Sequence, residues 1–147
     1  MKKHIFPLIF TIFCVLCAFS CHNGDRMTDE EKIVAVADSF SCHYFTWHFD
    51  RAMNFSDEGM KRYLTFIASN VHKADIETLL STTEIPVISV GETTMEGDSM
   101  ATVVIDLKDV ILMDTIGERA HLYPNAQKAL RLRKTNDNEW KVTEIRQ

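Results

Sequence analysis

The chain has 147 residues, 46% hydrophobic and 25% charged, which is enough for one domain with a continuous core. Its formal charge of −5 offers no basic surface to nucleic-acid phosphates or to anionic lipid headgroups. Three of its four cysteines crowd into the stretch from Cys14 to Cys21.

In chain order, Lys2 and Lys3 precede a run from Ile5 to Phe19 that is apolar except for Thr11. The run is short for a transmembrane helix, which needs about 20 residues. With its basic start and its exit at Ala18-Phe19-Ser20, it has the layout of a signal peptide over residues 1–20. Ala18-Phe19-Ser20-Cys21 resembles a relaxed lipobox of a bacterial lipoprotein, with Ala18 where leucine is usual and a bulky Phe19 after it. That resemblance implies that Cys21 becomes the first residue of the mature chain and carries lipid on sulfur and amine. Each buried methylene contributes about 0.8 kcal/mol, so two or more acyl chains anchor firmly where one does not. The implied address is the cell envelope, on the outer membrane or its periplasmic face, with the membrane as a partner through the lipid. The alternatives are ordinary secretion with cleavage before Cys21 and an uncleaved membrane helix.

Cleavage before Cys21 discards Cys14 and Cys17, so their CxxC spacing is neither a redox pair nor a metal clip in the mature protein. It removes Lys2 and Lys3 but no acid, moving the formal charge from −5 to −7. Cys42 is then the one free thiol, expected as a small buried apolar residue rather than a nucleophile.

Residues 21–27 read as a tether, and residues 28–147 as the domain. Thr28-Asp29-Glu30-Glu31 is a helix start: Thr28 caps, Glu31 completes a capping box, and the acids suit the positive helix end. Ile33, Val36, Phe40, Tyr44 and Trp47 form one apolar stripe. Cys42, Phe45, Phe49 and Met53 form a second, so one helix is expected to run to about Met53 with its later half between two layers. A second helix starts at Ser56-Asp57-Glu58, with Met60, Tyr63, Leu64, Ile67 and Val71 inward. A third spans about Ala74 to Leu80, with Ile76, Leu79 and Leu80 inward. Ile85–Thr93 and Ser99–Met113 read as strands joined at Glu96-Gly97-Asp98. Asp114–Asn125 reads as irregular. Ala126–Lys134 sets Leu130 and Leu132 against Arg131 and Arg133, and Asn136-Asp137-Asn138 turns into a last strand with Trp140 and Val142 on one side.

Helices first and an antiparallel meander after predict an α+β fold, helices packed on one face of a sheet. The segment "FTWHFDRAMNFSDEGMKRYLTFIAS", the strands after it and the closing "ALRLRKTNDNEWKVTEI" are similar to the NTF2-like superfamily, over roughly Thr28 to Gln147. The resemblance implies a cone: N-terminal helices on a strongly curved antiparallel sheet, a pocket at the open end, and frequent homodimerisation through the outer sheet face.

Tyr44, Trp47 and His48 are the residues expected to line such a pocket. His48 and Asp50 stand about 160° apart around a helix, and His43 and Asp50 about 10 Å apart along it, so neither pair is a dyad. His43 and His48 are five apart rather than four, so no metal is expected, and no cofactor. Asp106 is an acid or base candidate if its strand face lines the cavity, and a solvated residue if that face is external. His121 and Tyr123 are placed at a pocket mouth or in a packed loop. The leading expectation is a non-enzymatic, lipid-anchored envelope protein that binds a small apolar or amphipathic ligand, or a protein partner. The alternatives are an isomerase, dehydratase or hydrolase using Asp106 or His48, and a structural or dimerising module.

Overall fold

A computed structural model of the protein describes residues 26–147. The segment 1–20, Cys21 and the tether up to residue 25 lie outside the described residues, and so does everything expected of them.

The first helix, α1, spans Asp29–Tyr44. The capping box forms as its sequence dictates: Glu31 N–H donates to Thr28 Oγ1 at 3.2 Å, and Thr28 N–H donates to Glu31 Oε2 at 2.7 Å. The helix does not continue to Met53. Phe45 N–H still closes on Ser41 O, but Thr46 Oγ1 donates to Cys42 O at 2.5 Å, and Trp47 takes a left-handed φ of 65°. The apolar residues of the expected second stripe therefore leave the helix in different directions. Phe45 and Phe49 are buried and Met53 packs against the core from separate segments: α2 (Phe49–Ala52) and a 3-10 turn (Met53–Phe55). Cys42 faces solvent rather than the interior. Partial desolvation by its neighbours and the nearby Asp38 charge push its thiol up, away from the reactive thiolate form.

Asp57 caps the next helix, α3 (Glu58–Ser69), accepting from Met60 N–H at 2.8 Å. Met60, Leu64 and Ile67 are buried as their spacing predicts. The fourth helix, α4 (Lys73–Ser81), sits the other way round from expectation. Leu80 is 81% exposed and Ile76 42%, while Asp75 is only 1% exposed. The Asp75 carboxylate explains the rotation. It accepts from His72 N–H at 2.8 Å, closing the helix start, and from Ala120 N–H at 2.9 Å, holding the loop that precedes β3. The buried Ala120 N–H and the half-buried His72 N–H would lose their acceptor if Ile76 took its place.

The sheet is an antiparallel meander, β1 (Val87–Glu96), β2 (Met100–Leu112), β3 (His121–Lys134) and β4 (Trp140–Arg146), in sequence order. Ala101, Val103, Ile105 and Leu107 point inward with Leu130, Leu132, Trp140 and Val142, and bury Ile33, Ala37 and Phe40 of α1 beneath them. Register shifts between Val90 and Thr93 and between Arg131 and Leu132 mark bulges, the usual means of bending a sheet around a helix. The segment expected to be irregular is partly strand: β3 already begins at His121 and contains Pro124. The β2–β3 pairing sets Lys108 opposite Asn125 and Val110 opposite Tyr123, passing over Asp109 (φ 54°) and Pro124. A residue with no N–H to donate is tolerated where the ladder asks for no bond.

Four outcomes test this packing. Phe40→Ala removes a fully buried ring from the centre of the core and should cost about 3–5 kcal/mol in urea denaturation. The hydroxyl of Ser41 is buried with no hydrogen-bond partner among the described residues, so Ser41→Ala should raise stability by about 1 kcal/mol. Asp75→Ala should cost about 2 kcal/mol by orphaning two N–H groups. Burial alone pushes the Asp75 carboxyl up, but the Ala120 and His72 N–H donors outweigh it and hold the group below 3.8. A depressed carboxyl stabilises the fold above its ordinary value and loses that contribution as pH falls through the lowered one. The wild type should therefore lose more stability than Asp75→Asn on acidification below 3.8, followed by circular dichroism.

Candidate functional site

The sheet outruns the helix that fills it. At its N-terminus α1 is tied to the β3–β4 end of the sheet, where Asp29 accepts from Lys134 Nζ at 2.6 Å and from Trp140 Nε1 at 3.4 Å. These two donors hold the Asp29 carboxyl below its ordinary value. At the other end α1 stops at Tyr44, and a cavity of about 130 Å³ remains between the helix end and the strands.

Aromatic rings form one wall: Tyr44 from the end of α1, Phe45 and Trp47 from the turn after it, Phe49 from the start of α2, and Tyr63 from α3. They lock one another. Tyr44 stacks on Phe40 at 5.5 Å and meets Phe45 and Phe49 edge-on at 4.9 and 5.7 Å, and Trp47 lies 5.8 Å from Phe49. Ile111, Leu112 and Ile116 close the strand side with Ile145. The left-handed Trp47 is held by its own side chain, whose Nε1–H donates to Ile111 O at 2.9 Å. This bond ties the turn after α1 to the end of β2 across the cavity.

Polar groups share the wall: Tyr44, Tyr63, Asp114, Lys128, Arg146 and Gln147 all line the cavity. Burial, with the Tyr63 hydroxyl beside it, pushes the Tyr44 phenol up, so it stays a neutral donor throughout the physiological range. Asp114 stands on the rim, where the Tyr123 hydroxyl donates to it; that bond and burial raise the Tyr123 phenol. Lys128 comes from the inner face of β3, directly opposite Ile105.

The structure thus brings Tyr44 and Trp47 together in one wall and leaves His48 out. His48 is exposed, bonds Thr46 Oγ1 through Nδ1 at 2.9 Å, and does not line the cavity. His43 stacks on Phe55 at 6.0 Å. Asp106 is on the outer face, exposed, accepting from Gln127 Nε2 at 2.8 Å, so the external reading of that strand face holds. Tyr123 acts at the mouth, though from a strand; His121 is exposed. Lys128 and Asp114 were not expected. The signal for Lys128 was present, because it shares strand parity with the inward Leu130 and Leu132. Among the described residues no group of three or more His, Cys, Asp or Glu side chains is placed to hold a metal ion, and no helix is long and apolar enough to cross a membrane.

No family model matches the chain, and no curated protein matches it significantly. Solved structures do. An NTF-2 like protein of unknown function from Shewanella oneidensis superimposes with a TM-score of 0.52 at 17% identity, covering 80% of this chain and 97% of its own. A ketosteroid isomerase-like protein from Erwinia carotovora atroseptica gives a TM-score of 0.50 at 14% identity, covering 80% and 95%. The domain has the NTF2-like α+β fold.

Trp47→Phe keeps a ring in the wall but orphans the Ile111 carbonyl. It should lower stability by about 1 kcal/mol in chemical denaturation.

Proposed function

We propose that this protein is a lipid-anchored envelope protein whose NTF2-like domain binds a small apolar or amphipathic molecule in the cavity beyond Tyr44. The observation that carries the reading is the cavity itself: mutually braced aromatic rings around unfilled space, with Asp114, Lys128, Arg146 and Gln147 completing an amphipathic lining. A void of about 130 Å³ takes a single ring rather than a fused system; an apolar cavity of about 150 Å³ is known to take benzene.

The geometry suits a tethered protein. A seven-residue tether reaches at most about 25 Å, which keeps the start of α1 near the membrane. The cavity lies beyond the far end of that 16-residue helix, about 24 Å away, and faces the surrounding space.

Binding is favoured over catalysis because Asp106 and His48, the two acid–base candidates, both stand outside the cavity. The enzymatic reading rests on Tyr44, a neutral donor inside, and on Asp114 at the rim. The outer sheet face mixes Thr102, Asp106, Gln127 and an Arg131–Glu96 ion pair at 3.0 Å with the apolar Val87, Val104 and Ala129.

Native mass spectrometry of protein purified from its own host tests both halves of the proposal. A lipidated Cys21 at the mature N-terminus and a co-purifying molecule of one-ring size are expected. Ile145→Trp, which fills the cavity, should lose that molecule while remaining folded. An unmodified Cys21 refutes the anchor; an empty wild type, or a ligand retained by Ile145→Trp, refutes the binding site.

A further inference from the structure

Lys128 is a cation where the pattern of the sheet calls for an apolar residue. The inner face of β3 runs Ala126, Lys128, Leu130, Leu132, and across the ladder these meet Leu107, Ile105, Val103 and Ala101. Leu107, Ile105, Val103, Ala101, Leu130 and Leu132 are all buried. The other lysines and arginines of the two C-terminal strands are accounted for. Arg131 pairs with Glu96, Lys134 with Asp29 and Lys141 with Glu139; Arg146 also lines the cavity but is neutralised by Glu144 at 2.8 Å, while Arg133 is exposed on the outer face. Lys128 is half-buried, lines the cavity, and makes no hydrogen bond or ion pair among the described residues. A charge drawn partly out of water without a partner is unfavourable. The favourable partner is an anion brought into the cavity.

We propose that Lys128 is the anion-recognising group of this cavity, and that the ligand is a carboxylic acid of one-ring size, its apolar body against Tyr44, Trp47 and Phe49 and its carboxylate on the Lys128 ammonium. The inference rests on the cavity being a ligand site, and it narrows the ligand class from apolar to apolar-anionic. An ammonium recognises a carboxylate as a point charge, without the planar match of a guanidinium, so ring identity is left to the aromatic wall. Asp114 on the same rim is already engaged by Tyr123, and at the exposed mouth it disfavours anions that lack an apolar body to carry them past it.

Benzoate and benzamide share shape and differ in charge, which makes them suitable probes. Titrated by NMR against the folded domain, benzoate should bind wild type about tenfold more tightly than benzamide, the scale of one charge-assisted bond. Lys128→Met keeps the aliphatic stem, should be at least as stable as wild type in a thermal melt, and should bind the two probes equally. Lys128→Arg should restore the preference. Lys108→Met, which removes the same charge from the exposed outer face, should leave it unchanged. Equal binding of the two probes by wild type, or a benzoate preference that survives Lys128→Met, overturns the role of Lys128 and leaves the cavity as a binding site. No binding of either probe overturns both.

Discussion

The fold turns on a mismatch of lengths. Sixteen residues of α-helix span about 24 Å, whereas the 13 and 14 residues of the two central strands extend to about 43–46 Å. A helix laid along such a sheet covers only part of it. Asp29, held by Lys134 and Trp140, fixes α1 to one end, so all of the uncovered sheet falls at the other. Ile33, Ala37 and Phe40 fill the covered part to complete burial. The cavity is what the helix fails to reach.

The chain then closes most of that gap with devices that do not resemble one another. The turn after α1 spends a left-handed residue, Trp47, to swing an indole across the opening and bond it to Ile111. Left-handed backbone at a bulky residue persists only where its surroundings over-determine it, and the aromatic cluster and the indole bond do so. From the opposite side, Asp75 reaches out of α4 to hold Ala120, at the end of the loop that contributes Met113, Asp114 and Ile116 to the wall. Tyr123 binds Asp114 in the same loop. The wall is thus built from two loops over the sheet, one held by Trp47 and the other by Asp75 and Tyr123. Such an arrangement supports recognition of a small molecule without large motion.

What the sequence disclosed follows from how local each signal is. The α1 start was legible because Thr28 and Glu31 satisfy one another within a single turn. The Asp57 cap and the inward faces of β2 and β4 were legible for the same reason: a fixed period or a fixed offset decides them. The end of α1 was not legible. No glycine or proline stands between Tyr44 and Phe55, and the apolar spacing persists through a turn that local bonds close and the distant Trp47–Ile111 bond fixes. Helix α4 was turned over because a hydrophobic pattern weighed Ile76 and Leu80 but could not see the backbone N–H groups awaiting Asp75. Strand β3 was shortened because Pro124 reads as a breaker unless its partner position across the ladder is known. Of the site, the aromatic pair Tyr44 and Trp47 was visible as a stripe. His48 was misplaced by the same helical assumption, and Lys128 needed strand parity carried two residues further back from Leu130.

The central claim is that the space beyond Tyr44 is a ligand site, and the two tryptophans make it directly testable. Trp47 lines the cavity with its Nε1–H on Ile111, while Trp140 lies at the opposite end of the domain against Asp29. In a ¹H–¹⁵N spectrum recorded during titration with a one-ring aromatic compound, the Trp47 indole resonance should shift saturably and the Trp140 resonance should stay in place. Two stationary resonances, or two that move together, would contradict the assignment of the cavity as the binding site.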